Sequence, residues 1–138
     1  MVDRDVVQAK IAIIQRCLKR IQSVTRLDPA KLDDLDIQTI FALNLQRAVQ
    51  ATVDLAAHVV GSEGFGVPQE LRENFRFLVG NKIITADLGT RMEKMVGFRN
   101  IAVHEYQSLN LDVLKSILGN NLKDLEDFYT ALVAHFGV

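Results

Sequence analysis

Four residues of one short stretch, Arg99, Asn100, His104 and Tyr106 in "RNIAVHEY", have side chains suited to handling a phosphodiester. A guanidinium meets phosphate oxygens through paired N–H donors and keeps its charge at ordinary pH. An imidazole, with an unperturbed pKa of about 6.5, gives or takes a proton near neutrality. With a polar amide beside them, these groups suit metal-free RNA cleavage: a base draws the proton from the 2′-hydroxyl while a cation steadies the crowded, negatively charged phosphorane. In such a reaction His104 is the acid–base group, Arg99 supplies transition-state electrostatics, and Asn100 orients the phosphate or the imidazole.

Their spacing is helical. At roughly 100° per residue, Leu88, Met92, Met95, Val96, Val103 and Tyr106 fall in one stripe with Arg99 at its centre. Arg99 and Tyr106 lie nearly two turns apart, one above the other, whereas Asn100 and His104, at i and i+4, share a flanking face. Desolvating a guanidinium without a partner costs on the order of several kcal/mol, so Arg99 needs one. Two partners are open to it. One is a carboxylate elsewhere in the bundle, with Asn100 and His104 satisfying backbone groups; the other is a phosphate in a cleft formed against a second copy. One histidine cannot easily be both acid and base, and a two-fold homodimer would bring two copies of His104 to one cleft.

The rest of the chain must supply a frame for this helix. A chain of 138 residues with 49% hydrophobic and 24% charged residues is long enough and apolar enough for one folded domain with a real core. The formal net charge of −1 excludes strong global attraction to nucleic acid or anionic membrane, so any anion site must be local. Val7, Ile11, Ile14, Leu18 and Ile21 mark a first helix that stops near "TRLDPAK", where Pro29 disfavours helical geometry at Asp28. A second, longer helix comes after the acidic run Asp33, Asp34, Asp36, with Ile37, Ile40, Phe41, Leu45, Ala48, Thr52, Leu55 and Val59 inward, and ends in "GSEGFG". Pro68 is expected to open a short third helix through Leu71, Phe75 and Leu78 to Gly80. Thr85 caps the fourth, which carries the motif. A fifth is expected unbroken from about Leu111 to Phe136, with Leu114, Ile117, Leu118, Leu122, Leu125, Phe128 and Leu132 inward. Together these predict an all-α, antiparallel four-helix bundle with a short additional helix, forming a single domain over residues 1–138.

Other chemistry-bearing residues have simpler readings. Cys17 is the only cysteine, which excludes an internal disulfide and suggests a reducing cytoplasm; it reads as a small core residue. His58, near the end of the second helix, suits a structural place, and His135 is solvated near the C-terminus. The three histidines have no metal-ligand spacing with acids, so no metal and no cofactor is expected. "GSEGFG" lacks the flanking strand and Lys-Ser/Thr of a phosphate loop, and Met92 and Met95 read as core or interface filler. Arg16, Lys19, Arg20, Arg91 and Lys94 are either a solvated surface or the lining of an RNA groove, and Arg47 is a candidate to approach the cleft. The first residues have no apolar signal region and no apolar run reaches membrane-spanning length, which leads to the expectation of a cytoplasmic protein with no membrane partner.

"RNIAVHEY" resembles the Arg-x4-His-x-Tyr signature of the HEPN superfamily, here with Asn directly after the Arg. With "MVGFRN", "LVGNKIITADLGTRM" and "RAVQATVDLAAHVV", the likeness to the HepT-like branch extends over nearly the whole chain. The resemblance implies a helical bundle that dimerises through its motif helices. It also implies a metal-independent endoribonuclease toxin of a type VII-like toxin–antitoxin pair, whose partner is a minimal nucleotidyltransferase of the MNT type. By motif position, Arg99 and His104 are the implied catalytic residues, Asn100 a supporting one, and Tyr106 the tyrosine to which the antitoxin transfers AMP. An added nucleotide there would pair its phosphate with Arg99 and fill the cleft. Otherwise Tyr106 simply ends the stripe and hydrogen-bonds a backbone group. Some HEPN proteins are non-catalytic, so a nucleotide- or protein-binding module that assists a nucleotidyltransferase is the alternative from another class.

Overall fold

Asp3 starts the first helix by accepting the backbone N–H groups of Asp5 and Val6, donors that a helix leaves unpaired at its N-terminus. The computed structural model describes residues 1–104 and 110–138, with side chains described for 1–98 and 110–138. Helix α1 (Arg4–Thr25) buries Val7, Ile14, Cys17 and Ile21 and leaves Arg16, Lys19 and Arg20 exposed. At its end the Thr25 hydroxyl donates to the Ile21 carbonyl at 2.7 Å and accepts the Leu27 N–H at 3.1 Å. Arg26 and Leu27 reverse the chain with φ of 52° and 61°. Asp28 is extended, as the following Pro29 requires, and Pro29–Asp33 forms a 3-10 turn whose Leu32 is buried.

Helix α2 (Leu35–Glu63) is capped by Asp34 and terminated by Gly64 at φ 68°, inside the expected "GSEGFG". It runs antiparallel to α1. The Asp3 N–H donates to His58 Nε2 at 3.0 Å at one end of the pair, and Lys10 meets Asp54 at 3.2 Å two turns further in. Of the expected stripe, Phe41, Leu45, Ala48, Thr52, Leu55 and Val59 are buried, while Ile37 and Ile40 are half-buried. Ala42, Val49, Val53, Ala56 and Val60 are buried too, because α2 packs against α1 on one side and against α3, α4 and α6 on others.

Helix α3 (Glu73–Gly80) starts later than Pro68. Residues 70–75 make i to i+3 backbone bonds from Glu73, Asn74 and Phe75 back to Glu70, Leu71 and Arg72, a tighter lead-in turn than the α-helix expected there. Phe75 then packs edge-on against Phe128, with ring centroids 5.4 Å apart and planes at 77°. Thr85 caps α4 (Ala86–His104) as expected, its hydroxyl accepting the Leu88 N–H at 3.1 Å.

The expected unbroken last helix is two helices, α5 (Leu111–Asn120) and α6 (Leu122–Phe136). Gly119, Asn120 and Asn121 stand in sequence, each a poor helix former, and Asn121, at φ −118° and ψ −9°, stays in the right-handed region but departs from the φ of about −63° that a regular helix keeps. The inward residues are nonetheless those expected: Leu114, Ile117, Leu118, Leu125, Phe128 and Leu132 are buried and Leu122 is half-buried. Asn110 caps α5, and Lys115 reaches Asp33 of the 3-10 turn at 2.8 Å. The architecture is all-α, and one contiguous apolar core joins α1, α2, α3, α4, α5 and α6.

Candidate active site

The backbone of α4 carries Arg99, Asn100 and His104 on one continuous helix, in the register their spacing predicts. Their side chains lie outside the described residues, as do Val103 of the stripe and the whole of Tyr106. The turns of α4 that lead to them are fully described. Leu88, Met92, Met95 and Val96 are buried as expected, and Phe98 is buried as well, next to Arg99 in the chain. Met92 and Met95 are therefore core residues of this bundle.

Besides its packing on α2, this helix is held by α6 and α3. On one side Arg91 Nη1 donates to Asp124 Oδ1 of α6 at 2.6 Å and to Asp127 Oδ2 at 3.3 Å, while its Nε donates to Asp87 at 3.0 Å. Asp124 is 4% exposed, and Asn121 Nδ2 donates to its other oxygen at 3.2 Å. The hydrogen bond that Arg91 donates to Asp124 raises the Arg91 pKa above the ordinary arginine value, against the opposing effect of partial burial. Arg91 is thus a clamp between α4 and α6, a place that neither reading open to it from the sequence, solvated surface or groove lining, includes. Sequence alone had no means of placing the carboxylates of a helix more than thirty residues away against it.

On another side α3 runs antiparallel to α4 in a constant register. A Cβ on Gly89 would lie 2.5 Å from Val79 Cγ2, Arg76 binds Glu93 at 2.9 Å, and the Arg72 guanidinium lies 3.2 Å from where a Cβ on Gly97 would be. Each step back along α3 is matched by a step forward along α4 toward the motif. The hydrogen bond that Arg76 donates to Glu93 raises the Arg76 pKa.

The remaining candidates divide clearly. His58 Nε2 accepts the Asp3 N–H, which assigns it to the α1–α2 pair as the sequence suggested. His135 is exposed in the last turn of α6, its ring beside Phe136. Cys17 is 7% exposed and burial raises its thiol pKa, only partly offset by Arg47 and Arg16. Arg47 is therefore within electrostatic reach of α1 at Cys17. Lys94 is exposed on α4, and Lys19 and Arg20 are exposed on α1. Among the described residues no three His, Cys, Asp or Glu side chains come together as metal ligands: Asp87, Asp124 and Asp127 converge, but on Arg91. Among them, too, no helix is long and apolar enough to cross a membrane.

Residues 14–132 match the family described as ribonuclease HepT-like. The chain is 42% identical over 130 residues to the mRNA nuclease HepT of Shewanella oneidensis, an alignment that covers 94% of this chain and 98% of that protein. It is similar to the solved structure of a tri-AMPylated Shewanella oneidensis HEPN toxin in complex with an MNT antitoxin, with a TM-score of 0.89, 41% identity, and coverage of 96% of this chain and 99% of that one. A toxin–antitoxin crystal structure with AMP-PNP matches with the same TM-score of 0.89 and 41% identity over 95% of this chain and 99% of that one.

Proposed function

This chain belongs to the ribonuclease HepT-like family, and we propose that it is the RNA-cleaving toxin of a pair whose other member is a small MNT-type nucleotidyltransferase. The observation that carries the reading is the continuous α4 backbone, which sets Arg99, Asn100 and His104 within two turns of one helix clamped to α6 and α3. The whole chain acts as a single helical domain, cytoplasmic and without a membrane partner, and two copies join through α4.

In the composite cleft the imidazole of one His104 takes the proton of a ribose 2′-hydroxyl, and the freed oxygen attacks the adjacent phosphorus. Arg99 stabilises the charge that gathers on the phosphorane, and Asn100 orients it. His104 of the second copy returns a proton to the departing 5′-oxygen, leaving a 2′,3′-cyclic phosphate. No metal takes part. For silencing, the Tyr106 phenol attacks the α-phosphorus of ATP in the antitoxin, the phenolic proton leaves, and pyrophosphate departs. The new phosphodiester then pairs with Arg99 and occupies the cleft.

The test is cleavage of RNA by purified protein in EDTA. His104→Ala and Arg99→Ala are each expected to abolish cleavage and to relieve growth arrest on expression while the dimer stays folded. Intact RNA with wild-type protein, and mutants altered only in affinity for nucleotide or partner, would instead establish a non-catalytic binding module.

A further inference from the structure

We propose that Arg72 is a second phosphate-binding residue of the RNA cleft, gripping the substrate strand beside the scissile bond. The inference rests on the reading of Asn100 and His104 as cleft residues.

Register separates Arg72 from its neighbour. Arg72 and Arg76 are a turn apart on the same approach to α4, and α4 presents Glu93 and Gly97 opposite them, also a turn apart. Arg76 finds a carboxylate and is neutralised at 2.9 Å. Arg72 finds bare backbone at Gly97, its Nη2 occupying the space a side chain would have used. The nearby Glu73 carboxylate accepts the Gln69 N–H at 3.2 Å, a bond that belongs to the lead-in turn. Among the described residues no carboxylate pairs with the Arg72 guanidinium, which is exposed over a helix position that lacks a side chain.

Gly97 stands two residues before Arg99 and, roughly 160° around the helix from it, on the side of Asn100 and His104. At about 100° per residue, positions 97, 100 and 104 run in one line along α4, since three residues return to within roughly 60° and seven to within roughly 20°. The rise is about 1.5 Å per residue, so position 100 lies about 4.5 Å and position 104 about 10.5 Å further along the axis. A guanidinium over Gly97 is therefore placed to hold a phosphate one or two nucleotides from the 2′-hydroxyl that His104 deprotonates. Arginine suits this, because its planar donors meet two phosphate oxygens at once. Gly97 admits it.

The experiment measures RNA cleavage by Arg72→Ala, Arg72→Lys, Arg76→Ala and His104→Ala proteins over a range of salt. Arg72→Ala should raise KM about tenfold with kcat within about twofold, and lessen the slope of log affinity against log salt by about 0.7, the share of one phosphate contact on a single strand. Arg72→Lys should recover most of the affinity, and Arg76→Ala should keep the wild-type KM and salt slope per folded molecule. Unchanged KM and salt slope in Arg72→Ala, alongside an inactive His104→Ala, would overturn the proposal and leave the site intact. Equal losses in Arg72→Ala and Arg76→Ala would overturn it in favour of diffuse surface charge. A His104→Ala protein that still cleaves would remove the reading of the cleft itself, and the role of Arg72 with it.

Discussion

Arg91 of α4 and Asp124 of α6 meet at 2.6 Å, and the carboxylate is almost wholly buried whereas the guanidinium keeps an edge in solvent. The pair fixes the motif helix two turns ahead of Arg99. Removing Arg91 leaves the Asp124 carboxylate buried with the Asn121 amide as its described partner, and removing Asp124 leaves that amide without its acceptor, so both losses exceed those of the outer contacts.

Arg91→Ala and Asp124→Ala should each lower stability by about 2–3 kcal/mol. Asp127→Ala should cost under about 1 kcal/mol, and Asp87→Ala, at an exposed i, i+4 pair, less than about 0.5 kcal/mol. Urea midpoints at a fixed slope measure this order. A value for Asp87→Ala equal to that for Asp124→Ala would contradict the burial argument.

His58→Ala should lower stability by about 1 kcal/mol, because it strips the acceptor from the Asp3 N–H at the start of α1. RNA cleavage per folded molecule should be unchanged. Chemical denaturation and cleavage assays on the same preparation separate the two effects, and a fall in kcat would reassign this histidine.

Cys17 supplies a test with pH. Burial raises the thiol pKa above its ordinary 9.0, so the folded chain holds this proton more tightly than the unfolded chain does. The contribution is complete below pH 9.0 and is lost as pH rises through the higher folded value. Between pH 7 and about 10.5 the wild type should therefore lose more stability than Cys17→Ala, whose common background of lysines and tyrosines cancels in the difference. Parallel curves would place the thiol in contact with water. Iodoacetamide should label the native protein slowly at pH 8.

Co-expression with the antitoxin should add one or more AMP units to the intact mass, and Tyr106→Phe should abolish the gain. Modification that persists in Tyr106→Phe would move the acceptor elsewhere, and an unchanged wild-type mass would leave Tyr106 as a cleft residue alone.

Local signals were legible where a single residue decides the outcome. Thr85 and Asp34 act as helix caps through their own side chains, and Gly64 stops α2 inside a stretch rich in glycine. The stripe from Leu88 to Val96 came from periodicity, because one face of α4 meets the core. The break at Asn121 was missed because the apolar spacing continues across it, so the buried side chains alone do not register the change in backbone. Arg91 was misread for the opposite reason: its environment is made by residues distant in sequence, and its type and spacing match a solvated cation equally well. Arg72 carried no signal by itself. Its neighbour across the gap, Gly97, is what distinguishes it from Arg76, and that pairing exists only once α3 is laid against α4. The helical register of positions 99, 100 and 104 was legible from spacing, because a continuous backbone helix needs no distant residue to set it.

Gly89 sits where Val79 presses closest, so it acts as a spacer between two rods of which the far ends flank the motif. A methyl group there is a wedge: α3 must tilt or slide, and Arg72 moves with it. Position 89 is fifteen residues from His104, roughly 22 Å along the axis. A substitution near the start of α4 is in this sense transmitted along the helix pair, to the point where residues 72 and 97 stand opposite each other.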